Sequence, residues 1–238
     1  MGKELIGSMP AEVEELLGMQ IDFNTKLRSG ALTVEEFKLF LKRQNPFASP
    51  SNTLVQPVSL IADWQKFYQD EFSLTTDLSA IRVPEARNGF GRTLYVAQGV
   101  TTQKVYDRCA ELFPCWKYTN ESLDTAIPTN DRYPTNGSYA ILVRDRVEAD
   151  KEHQNKSAAD IKAAGILGII VLERLLLELK YFRETGKHLD IENVTACTGS
   201  RSSGGSVPGV DWRGFKLRVG WSGAGYRHPR WRCREVVS

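Results

Sequence analysis

Apolar positions along this chain follow two rhythms. A spacing of three to four residues, which places side chains on one face of a helix, runs through Val13, Leu16, Leu17 and Ile21. It recurs at Phe37, Phe40 and Leu41, and again at Leu60, Trp64, Phe67 and Tyr68. Thr33 with Glu36 forms a capping box that starts the second of these helices. The stretch 45–52 holds two prolines among small polar residues and cannot sustain a helix. Residues 1–45 therefore read as a helical hairpin and 46–57 as a linker. Residues 58–238 read as the main domain, opened by the amphipathic helix 60–72.

Strand patterns begin inside that domain. Arg92–Gln98 and Ser138–Arg144 are short apolar runs of strand length, and His188–Val194 alternates polar and apolar residues. Thr101 and Thr102 begin a helix that reaches Phe113 and is stopped by Pro114. Cys115–Tyr118 is a short extended piece, and Pro128–Gly137 a loop. Ser157 and Asp160 form a second capping box. The most apolar run is Gly165–Phe182, GILGIIVLERLLLELKYF. Glu173, Arg174, Glu178 and Lys180 lie within it. A charge at a bilayer centre costs about 2.5 to 3.5 kcal/mol on insertion scales, so the run predicts a buried scaffold helix and no membrane span. Arg174 and Glu178, one turn apart, are placed to pair on a polar strip. Gly186 ends the helix.

After Gly199 the sequence changes to Gly, Ser, Arg and Trp. Val207–Trp212, a turn at Arg213-Gly214, and Phe215–Trp221 predict one hairpin, with Leu217, Val219 and Trp221 alternating against Lys216, Arg218 and Gly220. Ser222–Pro229 follows as a loop and Trp231–Val237 as a last strand. The fold class expected is α+β: N-terminal helices, then a mixed domain with a central buried helix and C-terminal antiparallel hairpins, β-rich over 199–238.

Composition adds one asymmetry. The net charge is only +2, but residues 199–238 carry eight basic and two acidic side chains. The rest of the chain is correspondingly acidic, and such a split marks an interaction surface. The four cysteines show no CxxC or CxxH spacing, so no metal or other cofactor is expected. The first residues include acidic side chains and no apolar signal core, which predicts a cytoplasmic protein with reduced thiols. The segment around Gly89-Phe-Gly91 lacks the spacing of a phosphate-binding loop.

Three chemistries remain for the tail and its approach. Arg201, Ser203, Trp212, Arg213, Trp221, Tyr226, Arg227, His228 and Trp231 combine large, rigid contact area with adaptable polar groups. That is the composition of a recognition surface for a protein or small ligand. The same basic and aromatic residues also suit single-stranded nucleic acid, which needs neutralised phosphates and stacked bases. An enzymatic alternative rests on His188, Asp190 and Glu192, which share one face if 188–194 is a strand. Asp145, Glu148 and Asp150 offer carboxylates to a divalent cation, without the turn glycine of a calcium loop. The non-enzymatic binding module is the leading expectation.

The stretches LFPCWKYT, GSYAILVRDRVEAD, LERLLLELKYFRETGKHLDIEN and RCREVVS resemble a family of uncharacterised proteins from candidate-phylum bacteria. That resemblance implies a bacterial protein and brings no activity. Cys197-Thr-Gly-Ser-Arg201 and Arg232-Cys-Arg234 give the C-terminal region a weaker resemblance to C-type-lectin-like domains of the formylglycine-generating-enzyme type, including variable proteins diversified by retroelements. The Gly-Gly-Ser-Trp and Gly-Phe-Arg words of those domains are absent, as is their catalytic cysteine pair. The resemblance implies a lectin-like scaffold presenting a variable binding face.

Overall fold

The computed structural model describes residues 25–30, 33 and 58–238. The chain divides into two compact units, Met1–Ser51 and Asn52–Ser238. Of the first, residues 25–29 are helical and Gly30 leaves the helix with φ +75°. The remainder of the expected hairpin, and the linker over 46–57, lie outside the described residues.

The second unit is an α+β domain. Helix α1 (Val58–Phe72) buries Trp64, Phe67 and Tyr68 as its periodicity requires. Tyr68 then does more than fill space. Its hydroxyl donates to Tyr95 O at 2.7 Å and accepts from Ala97 N at 3.1 Å, tying α1 to the end of the first strand. That strand, β1 (Arg92–Val96), pairs antiparallel with β4 (Tyr139–Val143). Between them come α2 (Thr102–Leu112), β2 (Cys115–Lys117), the short α3 (Leu123–Ala126) and β3 (Thr129–Asn130). Thr101 caps α2 by accepting from Lys104 N. β3 falls in the stretch expected to be all loop; it pairs with β6 (Ser200–Arg201), far along the chain.

The alternating charges of Arg144–His153 suit a solvated strand end and helix entry, and Asp145, Arg146, Lys151 and Glu152 are indeed exposed, but the chain turns inward at two polar positions. Asp150 and His153 are buried. Arg144 reaches Asp150 at 2.6 Å and Glu235 at 2.9 Å, so burial of these carboxylates is matched by a guanidinium. Ser157 and Asp160 form the expected capping box of α4 (Ala158–Ala163).

The apolar run forms α5 (Val171–Thr185), which starts six residues after the run begins at Gly165. The stretch 167–170 is held as extended chain: Ile169 N donates to Arg234 O at 2.9 Å, and Gly199 N donates to Ile169 O at 3.2 Å. Ten consecutive residues of α5, Val171–Lys180, are buried. Leucines face every neighbour, and each buried leucine contributes about 1.5 to 3 kcal/mol. Gly186 closes the helix with φ +67°.

Two sheets flank α5. The first has the order β1–β4–β10, where β10 is Val236–Val237. The second has five strands: β2, β8 (Leu217–Ser222), β7 (Val207–Trp212), β5 (Val194–Ala196) and β9 (Trp231–Cys233), in that order. β7 and β8 are the expected hairpin, closed by Arg213–Lys216. Gly214 and Phe215 both have positive φ, near +60°, the signature of a primed hairpin turn, and Phe215 is 87% exposed at its tip. The returning strand thus starts two residues after Phe215. The expected last strand, Trp231–Val237, is two strands in different sheets, because Arg234 and Glu235 turn the chain inward between them.

The inner face of the large sheet carries Leu217, Val219, Val210 and Cys197 against the main core. All four cysteines are free, and burial pushes each thiol up, Cys115 and Cys233 to about 12. No helix among the described residues is long and apolar enough to cross a membrane.

Candidate ligand-binding site

Side chains alternate across a strand, so a sheet with one face in the core shows the other outward. On the large sheet the outward set in register is Trp116 on β2, Arg218 and Gly220 on β8, and Gly209 and Asp211 on β7. Val194 on β5 and Trp231 on β9 continue it. Gly209 pairs with Gly220 at the middle of this face, leaving a floor without side chains. A Cβ on Gly220 would meet nothing within 4 Å, whereas one on Gly209 would meet the Trp231 ring at 2.6 Å. Trp231 therefore leans over half of the floor and leaves the other half open.

Aromatic rings stand at both edges. On the β2 side Trp116, Tyr118 and Trp221 form one wall: Tyr118 meets Trp116 at 6.0 Å and Trp221 edge-on at 5.6 Å between ring centroids. Trp116 is 41% and Tyr118 64% exposed. On the β9 side Tyr226 meets Trp231 edge-on at 5.4 Å and lies parallel to His228 at 6.3 Å. The hollow between the walls has a volume of about 360 Å³.

Charge sits on its floor. Asp211 is buried, and burial raises its carboxyl above the ordinary 3.8 although Arg218 and Arg213 stand beside it. Those guanidiniums approach at 3.4 and 3.5 Å, and neither makes a hydrogen bond to it. Asp211 Oδ2 and Arg218 Nε are both buried without a hydrogen-bond partner. Arg218 also stacks over Trp116 at 5.8 Å. A third guanidinium, Arg230, lines the same hollow and donates from Nε to Glu192 O at 2.6 Å.

Five of the nine tail residues expected at a recognition surface meet here: Arg213, Trp221, Tyr226, His228 and Trp231. Four do not. Trp212 has the parity of the core face and stacks on His188, with ring centroids 3.3 Å apart, so it is packing and not surface. Arg201 turns back on its own loop, donating to Thr198 O and Ser200 O, and lines a separate groove beside Gly165 and Leu167. Arg227 pairs with Asp160 at 2.6 Å. Ser203 lies at a turn whose backbone is tied to Ala126 O, away from the hollow. Sequence reasoning missed Trp116, Tyr118, Asp211, Arg218 and Arg230. The period-two pattern of β8 carries Arg218 on the outward side. Nothing local joins Trp116 and Tyr118 to the tail, because β2 pairs with β8 from about a hundred positions upstream.

The enzymatic arrangement is corrected by the backbone. Residues 188–193 form no strand, and Asp190 sits at φ +54°, so His188, Asp190 and Glu192 share no face. His188 is wedged between Phe182 and Trp212, with Nδ1 2.9 Å from Glu178. Asp190 is wholly enclosed by Arg174, Arg234, Thr195 and Ala149 N. Glu192 is exposed.

The carboxylates considered for a cation also separate. Asp145 goes to Arg92, Glu148 to the backbone of Glu192 and Asn193, and Asp150 to Arg144. Asp150 does meet His153 and Glu235, with ligand atoms within 4.8 Å of one another. Arg144 and Arg87 already bind those carboxylates, so arginine holds the place a cation would take. Comparison with family models, with curated proteins and with solved structures finds no match to this chain.

Proposed function

We propose that this protein is a non-enzymatic binding module whose ligand sits in the hollow on the outward face of the five-stranded sheet. The observation that carries the reading is the glycine floor, Gly209 beside Gly220, walled by aromatic rings on both sides and holding an unsatisfied carboxylate and guanidinium. Sheets ordinarily cover such a face or make it uniformly polar. Large rings left standing over open floor supply contact area at low entropic cost, and polar groups without internal partners supply orientation.

The five tryptophans provide the test. Trp116, Trp221 and Trp231 line the hollow, whereas Trp64 is in the core and Trp212 faces inward. Titration of a diverse fragment set against the ¹⁵N-labelled protein should move the first three indole N–H signals and leave the other two still. Shifts confined to Trp64 and Trp212, or no shifts at all, reject the site.

The resemblance to variable proteins supports a diversified version of this module. Across gene copies of one population, substitutions should then fall on tail positions that line the hollow, such as Asp211, Arg218, Trp221 and Tyr226. They should spare Val210, Leu217 and Val219, which alternate with Asp211 and Arg218 along the two strands and fill the core. A uniform tail removes the diversified version and leaves a fixed-ligand module. Of the eight basic tail residues, Arg201, Arg227 and Arg234 are held by internal partners, so the surface available to a phosphate backbone is smaller than composition suggests.

A further inference from the structure

We infer that the hollow selects a ligand joining a planar apolar group to an anionic group, such as an aromatic carboxylate; this rests on the hollow being the binding site. Two independent features of the geometry point there. The first is the balance of charge. Arg213, Arg218 and Arg230 face one carboxylate, Asp211, so the floor carries an excess of positive charge before any ligand arrives. The next charged group felt by Asp211 is Arg174, from the helix behind the sheet, and it adds to the same sign. His228 is the remaining titratable ring in the lining beside the two tyrosines.

The second is unused hydrogen-bonding capacity. Arg213 and Arg218 stand at ion-pair distance from Asp211 without donating to it. A guanidinium offers a planar fork of donors that matches a carboxylate or phosphate bidentately. An incoming anion therefore gains bonds that Asp211 does not supply, and Asp211 acts as its competitor. The rings set the rest of the ligand: Trp116, Tyr118 and Trp221 stand edge to face in the lining, and a planar group entering above Gly220 meets aromatic walls and no Cβ on the floor.

A matched series decides the sign. Naphthylacetate, naphthylethanol and naphthylethylammonium share one ring and differ in charge. Each is titrated into the full chain at low salt, with the Trp116, Trp221 and Trp231 indole signals as readout. Naphthylacetate should bind tightest, by roughly tenfold over the ammonium probe, and weaken as salt rises. Arg218→Gln should reduce that preference at least about threefold. Asp211→Asn should strengthen naphthylacetate binding by about threefold or more, because it removes the competing charge and keeps the side-chain shape. Each variant is checked first for wild-type far-UV circular dichroism and indole dispersion; Arg213→Gln replaces Arg218→Gln if the latter does not fold. Tightest binding of the ammonium or the alcohol, or weaker naphthylacetate binding by Asp211→Asn, overturns the anion assignment while the site stands. If none of the three probes moves the three indoles, the site itself fails.

Discussion

Asp190→Ala should cost this protein about 3 to 5 kcal/mol, the range for removing one partner from a buried ion pair. Asp190 is enclosed at the meeting point of five segments. Oδ1 accepts from Ala149 N at 2.7 Å and from Arg234 at 3.0 Å, and Oδ2 accepts from Arg174 at 2.8 Å and from Thr195. Its own backbone carbonyl accepts from Trp212 N at 3.0 Å, and its N–H donates to Val147 O. Arg174 continues to Glu178 at 2.8 Å, so the buried group of two arginines and two carboxylates is neutral. Removing one carboxylate leaves both guanidiniums enclosed with an uncompensated charge. A domain with about 5 to 15 kcal/mol of total stability would lose a large fraction of it. At roughly 2 to 4 °C per kcal/mol for a domain of this size, the thermal midpoint should fall by about 6 °C or more. Thermal unfolding followed by circular dichroism measures it; a shift under about 2 °C would show that the network relaxes around the loss.

The same group gives the expected pH dependence. Burial alone would raise the Asp190 carboxyl, but Arg174 and Arg234 together with the Thr195 hydroxyl outweigh it and hold it below 3.8. Because the folded value lies below the unfolded one, the unfolded chain takes up the proton first as pH falls. The contribution of Asp190 is therefore complete above about pH 4 and is lost as pH drops toward its folded value. Urea unfolding at successive pH values should show wild type losing stability below about pH 4 more steeply than Asp190→Ala.

Gly168→Ala should also be severe, for a steric reason. A Cβ at Gly168 would stand 1.7 Å from Thr198 Oγ1 and 3.0 Å from Thr198 Cβ. Rotating the hydroxyl relieves the first contact and not the second, and Cys233 Sγ closes the other side at 3.1 Å. Gly199 faces the same crossing, where a Cβ would meet Gly168 O at 2.6 Å. This is where the extended chain before α5 passes between Gly199 and the Arg234–Val236 segment, sharing backbone bonds with both. Overpacking costs about 1 to 3 kcal/mol in ordinary cores, and here it must push closely packed backbones apart. Gly168→Ala should lower stability in denaturant unfolding by an amount at the top of that range. Gly220→Ala, where the added methyl meets open space, is the control and should leave stability within about 0.5 kcal/mol of wild type.

How far these features were legible depended on the range over which each is determined. Helix ends were set locally: Thr101, the Ser157–Asp160 box and Gly186 act on backbone groups within four residues, and each stands where its motif indicates. The alternation of β8 likewise placed Leu217 and Val219 inward and Arg218 outward. Local pattern misled wherever a distant partner could replace solvent. His188–Val194 alternates like a strand, yet the chain bends at Asp190 because two arginines from other elements pull its carboxylate into the core. Within the charge run ending at His153, Asp150 and His153 go inward because Arg144 and Glu235 supply their partners, while Asp145, Arg146, Lys151 and Glu152 stay exposed.

By itself the sequence determined an α+β domain with a buried charged helix, its capped ends, and a tail rich in rings and guanidiniums. Those properties follow from spacing and side-chain chemistry, which act over a turn of helix or a pair of strands. Only the tertiary structure decided which rings face outward and which stack inside, as Trp212 does on His188. It alone brought Trp116 and Tyr118 beside Arg218 and left Asp211 and Arg218 without hydrogen bonds between them. Strand pairing between residues about a hundred positions apart is chosen by the packing of the whole core, and no local period records it.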